Sequence, residues 1–255
     1  MLEHGDINLL AIAQLAFTLS TLKQMNYEPI LVSSGAVGVG MKILNLNTRP
    51  DTIAKQQAVA AIGQSELIKI YNQRFNSYHQ LSAQVLLTRD VIDFPESREN
   101  VINTLDELIQ MGIIPIVNEN DSVSVDELDH QTKFGDNDQL SAIVATLAQA
   151  DCLIMLSDID GFYSDNPHTN PDATLFSHIP TISKELESSA GGAGSEFGTG
   201  GMASKLKAAK RMLDVDSHMV LASGKNPSII FDILKGQDIG TLFSKTDLNI
   251  KESDK

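Results

Sequence analysis

The sequence predicts an α/β protein built on a mostly parallel sheet, and three observations carry that reading. Stretches with apolar residues at helical spacing alternate along the chain with short β-branched or leucine-rich runs. The helical stretches between those runs are long enough for right-handed crossovers joining parallel strands. Finally, 255 residues with 42% hydrophobic content can bury a sheet on both faces, in one large domain or two small ones.

In chain order, residues 7–25 (INLLAIAQLAFTLSTLKQM) read as the first helix and EPILVSS (28–34) as a short buried strand. Helical patterns return at 56–76, 97–111 and 138–150. Strand patterns fall at SAQVLLT (82–88), IIPIVNE (113–119), DCLIMLSD (151–158) and SHMVLAS (217–223), with TLFS as the last strand. Pro115 is awkward in a central strand because it cannot donate a ladder hydrogen bond, so it is placed near the strand's start. DELDHQTK (126–133) reads as a hairpin or flap, and ESSAGGAGSEFGTGG (187–201) as a glycine-rich loop. The charged tail SKTDLNIKESDK is expected to fray. No internal repeat and no compositional boundary is visible, although two lobes sharing one sheet would fit.

Composition narrows the function. The acidic excess, 33 Asp and Glu against 19 Lys and Arg, argues against general binding to nucleic acid or anionic membranes. No apolar run approaches the ~20 residues of a membrane span, and the N-terminus lacks the pattern of a secretory signal. A single cysteine, Cys152, in an apolar run leaves a reducing, cytoplasmic setting as the default, and it reads as core. The six histidines show no ligand spacing, so no metal site is assigned to protein side chains.

Ligands of an open parallel sheet collect where strands end and helices begin, and four clusters lie at such points. Ser33-Ser34-Gly35 through Gly40 follows the strand PILV. A serine-capped helix with glycines for close packing accounts for it more readily than an anion site of hydroxyl and backbone N–H groups, and both stay open. Asn118-Glu119-Asn120-Asp121 places four polar residues after a buried strand, more than one cap needs, which fits a binding site and a plain polar loop equally. Gly135-Asp136-Asn137-Asp138 precedes an apolar helix; one of the three polar residues serves as cap, leaving two for an ammonium group, a metal ion or lysine side chains. Gly198-Thr199-Gly200-Gly201-Met202-Ala203-Ser204-Lys205 opens a helix with the apolar stripe Met202, Leu206, Ala209 and Leu213. Lys205 in its first turn is unfavourable against the helix dipole unless an anion is bound, which makes the stretch a phosphate cradle, though not a Walker A motif. Asp158, Asp160 and Asp165 are weaker candidates for a nucleotide's base or ribose. Lys207, Lys210 and Arg211 read as a solvated helix face.

The strings LVSSGAVGVG, QVLLTRD, IPIVNENDSVSVDE, KFGDNDQLSA, LSDIDGFYSDNP and FGTGGMASKLKAA make the chain resemble the amino acid kinase family. NEND together with GDND is similar to the branch whose acceptor is L-glutamate. The resemblance implies a three-layer αβα sandwich around a mostly parallel sheet. It also implies transfer of the ATP γ-phosphoryl group to the glutamate side-chain carboxylate, the first step of proline biosynthesis, with Mg²⁺ bridging phosphate oxygens. By motif, Ser34, Asp121 and Asn137 would bind glutamate, with Asp136 in the same shell. Asp138 would organise the catalytic lysine. Thr199, Gly200, Gly201, Met202, Ala203, Ser204 and Lys205 would hold the ATP phosphates, and Ser157 and Asp158 would lie on the nucleotide side. Homo-oligomerisation, as dimer or tetramer, and feedback inhibition by proline are implied in the same way.

Other acceptors within the family (acetylglutamate, aspartate, carbamate, UMP, an isopentenyl phosphate) are disfavoured by NEND with GDND. A non-catalytic glutamate- or proline-binding relative is the reading from another class. It draws on one departure: members usually begin with a strand bearing Lys-x-Gly-Thr, whereas this chain enters its first helix almost at once. The amino acid kinase domain, residues 1–255, is therefore expected to be N-terminally incomplete, its natural start lying upstream. A C-terminal PUA domain, which many relatives carry, is not expected.

Overall fold

The computed structural model describes residues 2–3, 6–88, 90–123, 137–167, 169–190 and 201–246. The chain divides into two compact units between Asn137 and Asp138.

The first unit opens with a two-stranded antiparallel ribbon, β1 (Leu2–Glu3) and β2 (Asp6–Ile7). Helix α1 (Leu9–Gln24) is capped by Asn8, whose Oδ1 accepts from the Ala11 N–H at 2.9 Å, satisfying one of the donors a helix start leaves unpaired. Strand β3 (Leu31–Val32) is shorter than its pattern suggested, and α2 (Ala36–Ile43) follows directly. Then come α3 (Ile53–Asn76), β4 (Ser82–Leu87), the single turn α4 (Asp90–Asp93), α5 (Pro95–Gln110) with proline at its first position, and β5 (Ile114–Glu119). Both ladders of the sheet β3-β5-β4 are parallel. Pro115 is the second residue of the central strand. The Ile114 N–H donates to Leu81 on the β4 side, so by alternation the Pro115 nitrogen faces the β3 edge. Pairing there begins only at Ile116, and no ladder bond is lost.

The glycines of α2 and α3 serve close packing. A Cβ on Gly63 would lie 1.8 Å from the Ala36 carbonyl oxygen, and one on Gly40 2.0 Å from that of Val59. The two helices therefore meet backbone to backbone.

In the second unit, α6 (Asn137–Leu147) begins at the last residue of the first unit and leads to β6 (Cys152–Ser157). There follow β7 (His178–Ile179), α7 (Lys184–Ala190), α8 (Gly201–Asp214), β8 (His218–Ser223), α9 (Ile229–Leu234) and β9 (Thr241–Phe243). The sheet runs β6-β8-β9-β7, parallel except for the β8–β9 pair. Four of the six ladders among the described residues are thus parallel. The core of this unit gathers Met155, Phe162, Leu206, Met212, Leu221 and Phe243.

One reading of the sequence shifts. The loop read over residues 187–201 contributes its first residues to the end of α7 and Gly201 to the start of α8; residues 191–200 lie outside the described residues. The segments DELDHQTK and the tail beyond Thr246 lie outside them as well. No helix among the described residues is long and apolar enough to cross a membrane.

Candidate active site

In the first unit the polar residues gather where β3 and β5 end. Ser33 is 3% exposed; its backbone N–H donates to Val117 and its hydroxyl to the Tyr71 phenol at 3.2 Å. Burial pushes the Tyr71 phenol up to about 12, against a smaller downward pull from Ser33. Ser34 is half-buried at the next position. The cap of α2 is not a serine: Gly35 occupies it with φ of +92°, in the left-handed region, and no side chain caps the helix. The capping explanation of the serines therefore falls away, while close packing accounts for Gly40.

Asn118, 2% exposed, ends the buried run of β5. Its Oδ1 accepts from the Glu119 backbone N–H at 2.9 Å, and its Nδ2 donates to Gln64 Oε1 at 2.7 Å. Beyond it the chain turns, with the Asn120 N–H donating to Leu87 and the Val123 N–H to Asn120. Glu119, Asn120, Asp121 and Ser122 line a cleft of about 300 Å³ together with Gln64 and Ser65 from α3.

In the second unit the polar residues gather at the start of α8 and the end of β6. Lys205 Nζ donates to Asp138 Oδ2 at 2.9 Å, with the two side chains only 13% and 21% exposed. Asp138 sits in the first turn of α6. Lys205 is the fifth residue of α8, one position beyond the turn assigned to it from sequence, since the helix starts at Gly201. Its side chain nonetheless reaches back to the Gly201 carbonyl oxygen at 3.4 Å, because helical side chains lean toward the N-terminus. The Asp138 carboxylate offsets the charge that the helix dipole disfavours there.

Gln139 fastens the same turn from α6, donating through Nε2 to the Ser204 carbonyl at 2.7 Å and to its hydroxyl at 3.3 Å. Met202 packs against the unit's core and Ser204 is buried, while Gly201 is exposed and a Cβ there would meet nothing. At the end of β6, Ser157 donates to Asp158 Oδ1 at 2.9 Å and its carbonyl accepts from the Gly224 N–H. Asp160 accepts from the Tyr163 hydroxyl, and Asp165 is held by Asn166 and Asn170 in its own loop. Lys207, Lys210 and Arg211 are exposed. Cys152 is partly buried against a small apolar cluster; burial first and the neighbouring Asp151 second push its thiol up to about 12, so it is no nucleophile.

The structure thus joins Asp138 to Lys205 and Ser157 to Asp158, and it puts Asp121 on the cleft wall. Asn137 opens α6, half-buried. Asp136, Thr199 and Gly200 lie outside the described residues. Two residues escaped the sequence reading, Gln64 and Gln139. The second stands directly after Asp138 and could have been found as part of that motif. The first follows a glycine buried in α3, and a glutamine beside such a tight contact was the available signal.

In an α/β fold, a lysine held by an aspartate at a helix start is the charge placement a phosphotransferase uses. The chain belongs to the amino acid kinase family, whose model matches residues 2–223. Among curated relatives it is similar to the glutamate 5-kinase of Enterococcus faecalis, 66% identical over 242 residues, 95% of this chain and 89% of the relative. The glutamate 5-kinase of Listeria monocytogenes serovar 1/2a is 61% identical over 244 residues, 96% of this chain and 88% of the relative. Among solved structures, a carbamate kinase from Giardia lamblia bound to AMP-PNP superposes with a TM-score of 0.68 at 16% identity, covering 96% of this chain and 95% of that one. That likeness bears on the fold.

Proposed function

We propose that this protein transfers the γ-phosphoryl group of MgATP to the side-chain carboxylate of L-glutamate, forming γ-glutamyl phosphate for proline biosynthesis. The observation carrying the chemistry is the Lys205–Asp138 pair at the start of α8. Phosphoryl transfer asks chiefly for positioning and for charge neutralisation around the moving group. Lys205 supplies the cation, Asp138 fixes its place, and the N-terminal N–H groups of α8 add donors for phosphate oxygens. Gly201, exposed and with open space at its Cβ position, lets backbone and phosphate approach.

The acceptor carboxylate is ionised at pH 7, so no strong general base is required. Mg²⁺, entering as part of MgATP, would neutralise phosphate charge beside Lys205. Among the described residues no three acidic, histidine or cysteine side chains converge on a metal position, and the chemistry of MgATP asks for no such cage. Asp121 would bind the substrate ammonium, with Ser34, Asn137 and Asp136 completing the glutamate site. Thr199, Gly200, Met202, Ala203 and Ser204 would complete the phosphate site with Gly201, and Ser157 and Asp158 would face the nucleotide.

The acceptor follows from similarity to glutamate 5-kinases across nearly the whole chain. An ADP-release assay of the natural protein against glutamate, aspartate, acetylglutamate, carbamate and UMP tests it. Glutamate should exceed every other acceptor by at least about 100-fold in kcat/KM, by the discrimination a polar site achieves. A comparable rate with another acceptor overturns the assignment. We further place the protein in the cytoplasm as a homo-oligomer, dimer or tetramer, inhibited by proline. Size-exclusion with light scattering and a proline titration of the same assay check the last two properties.

A further inference from the structure

We infer that Gln64 is a substrate-contacting residue whose amide N–H groups hold the α-carboxylate of the bound amino acid; this rests on the glutamate reading above. The orientation of the side chain follows from a chain of obligatory donors. The Glu119 backbone N–H can only donate, so the Asn118 atom it meets at 2.9 Å is the carbonyl Oδ1. The other end of that amide must then be Nδ2, a donor, and the Gln64 atom meeting it at 2.7 Å must be Oε1. A single main-chain hydrogen thus sets the orientation of two side-chain amides.

The consequence is that Gln64 turns its two N–H donors away from Asn118. They have no partner among the described residues, and Gln64 lines the cleft of about 300 Å³. Gln64 is half-buried and its N–H groups open onto the cleft, where an entering acceptor can meet them.

The other walls identify that acceptor. Glu119 and Asp121 are both acidic, so a purely anionic ligand would be repelled. An α-amino acid head carries its ammonium and carboxylate on one carbon, and such a pair needs acceptors and donors side by side. Asp121 and Glu119 supply the first, and Gln64, with the hydroxyl of Ser65, the second. The small side chains of Ala36, Ala60 and Ala61 leave the space for that head.

Two variants separate contact from mere positioning. Gln64→Glu keeps an acceptor for Asn118, and hence the Asn118–Glu119 arrangement, but removes both donors. Gln64→Leu removes the acceptor as well. Glutamate binding is measured by titration calorimetry on the natural protein and on each variant, with the ATP-analogue AMP-PNP as control ligand. Both variants should bind glutamate at least about tenfold more weakly, as expected for a hydrogen bond to a charged group, with AMP-PNP affinity and thermal midpoint of Gln64→Glu unchanged. Unaltered glutamate affinity in Gln64→Glu, whatever Gln64→Leu does, overturns the contact and leaves the proposed function standing. A natural protein that binds no glutamate overturns both.

Discussion

The two polar clusters differ in what holds them. In the first unit neutral side chains bond one another in two sets, Ser33 with Tyr71 and Asn118 with Gln64, the second oriented by the Glu119 backbone N–H of β5. In the second, a lysine and an aspartate face each other with little water around them. Neutral amides fix orientation and distinguish one small molecule from another; a desolvated ion pair fixes where a charge sits. The first suits recognition of an amino acid, the second stabilisation of charge that shifts during transfer. Their sensitivities to mutation should differ accordingly.

The largest effect is expected at Lys205. Lys205→Met should lower kcat about 1,000-fold, the scale for loss of a preorganised transition-state donor, while glutamate affinity changes less than about twofold. It also takes the lysine partner from Asp138, and a cost of roughly 2 kcal/mol is expected, below the 3–5 of a fully dry pair. Chemical denaturation of Lys205→Met, Asp138→Asn and the double variant should show the double losing less than the sum. Equal losses in kcat and glutamate affinity would dissolve the division of labour between the clusters.

Next comes a purely structural disruption of the first unit. Gly63→Ala drives a methyl group into the Ala36 carbonyl and the Gly40 nitrogen, both rigid backbone. A loss of about 3 kcal/mol is expected, with glutamate binding weakened and AMP-PNP binding retained if α2 and α3 shape only the amino acid site. Weakening of both ligands alike would erase that contrast. Asp121→Asn follows: it should raise KM for glutamate about tenfold with kcat within about twofold, the pattern of lost ground-state binding.

The smallest effect concerns pH. His218 at the start of β8 donates through Nδ1 to the Ser244 hydroxyl, while His178 donates to the Ser244 carbonyl. Burial lowers His218 below its ordinary value, with Asp151 pulling upward more weakly. The unfolded chain therefore takes up a proton first. Its stability is full above the ordinary value of 6.5, declines as pH falls through it, and levels off below the depressed folded value. Urea midpoints of the natural protein and of His218→Gln across pH 5 to 8 measure this, the variant giving the flatter profile.

How much of this was legible beforehand depended on whether local sequence or tertiary contact decides. Period and composition located α1, α3, α5, β4, β5, β6 and β8 within a few residues, because long buried patterns leave few alternatives. The pieces β7, α7 and α9 went unread; each is seven residues or fewer and is stabilised by neighbours remote in sequence, as where β7 pairs with β9. The antiparallel β8–β9 pair was equally unreadable, since strand direction is not written in a strand's own residues. At the site, Lys205 and Asp138 could be matched by motif. Gln64 could not, because its significance lies in meeting Asn118, 54 positions away.

The central claim, that one chain recognises an amino acid and phosphorylates its side chain, is tested most directly by trapping the product. The natural protein is incubated with MgATP and glutamate in the presence of hydroxylamine, which converts an acyl phosphate to a stable hydroxamate. The expected result is γ-glutamyl hydroxamate formed in step with ADP, and abolished in Lys205→Met. ADP release without hydroxamate, or hydroxamate at an undiminished rate in that variant, would contradict the account.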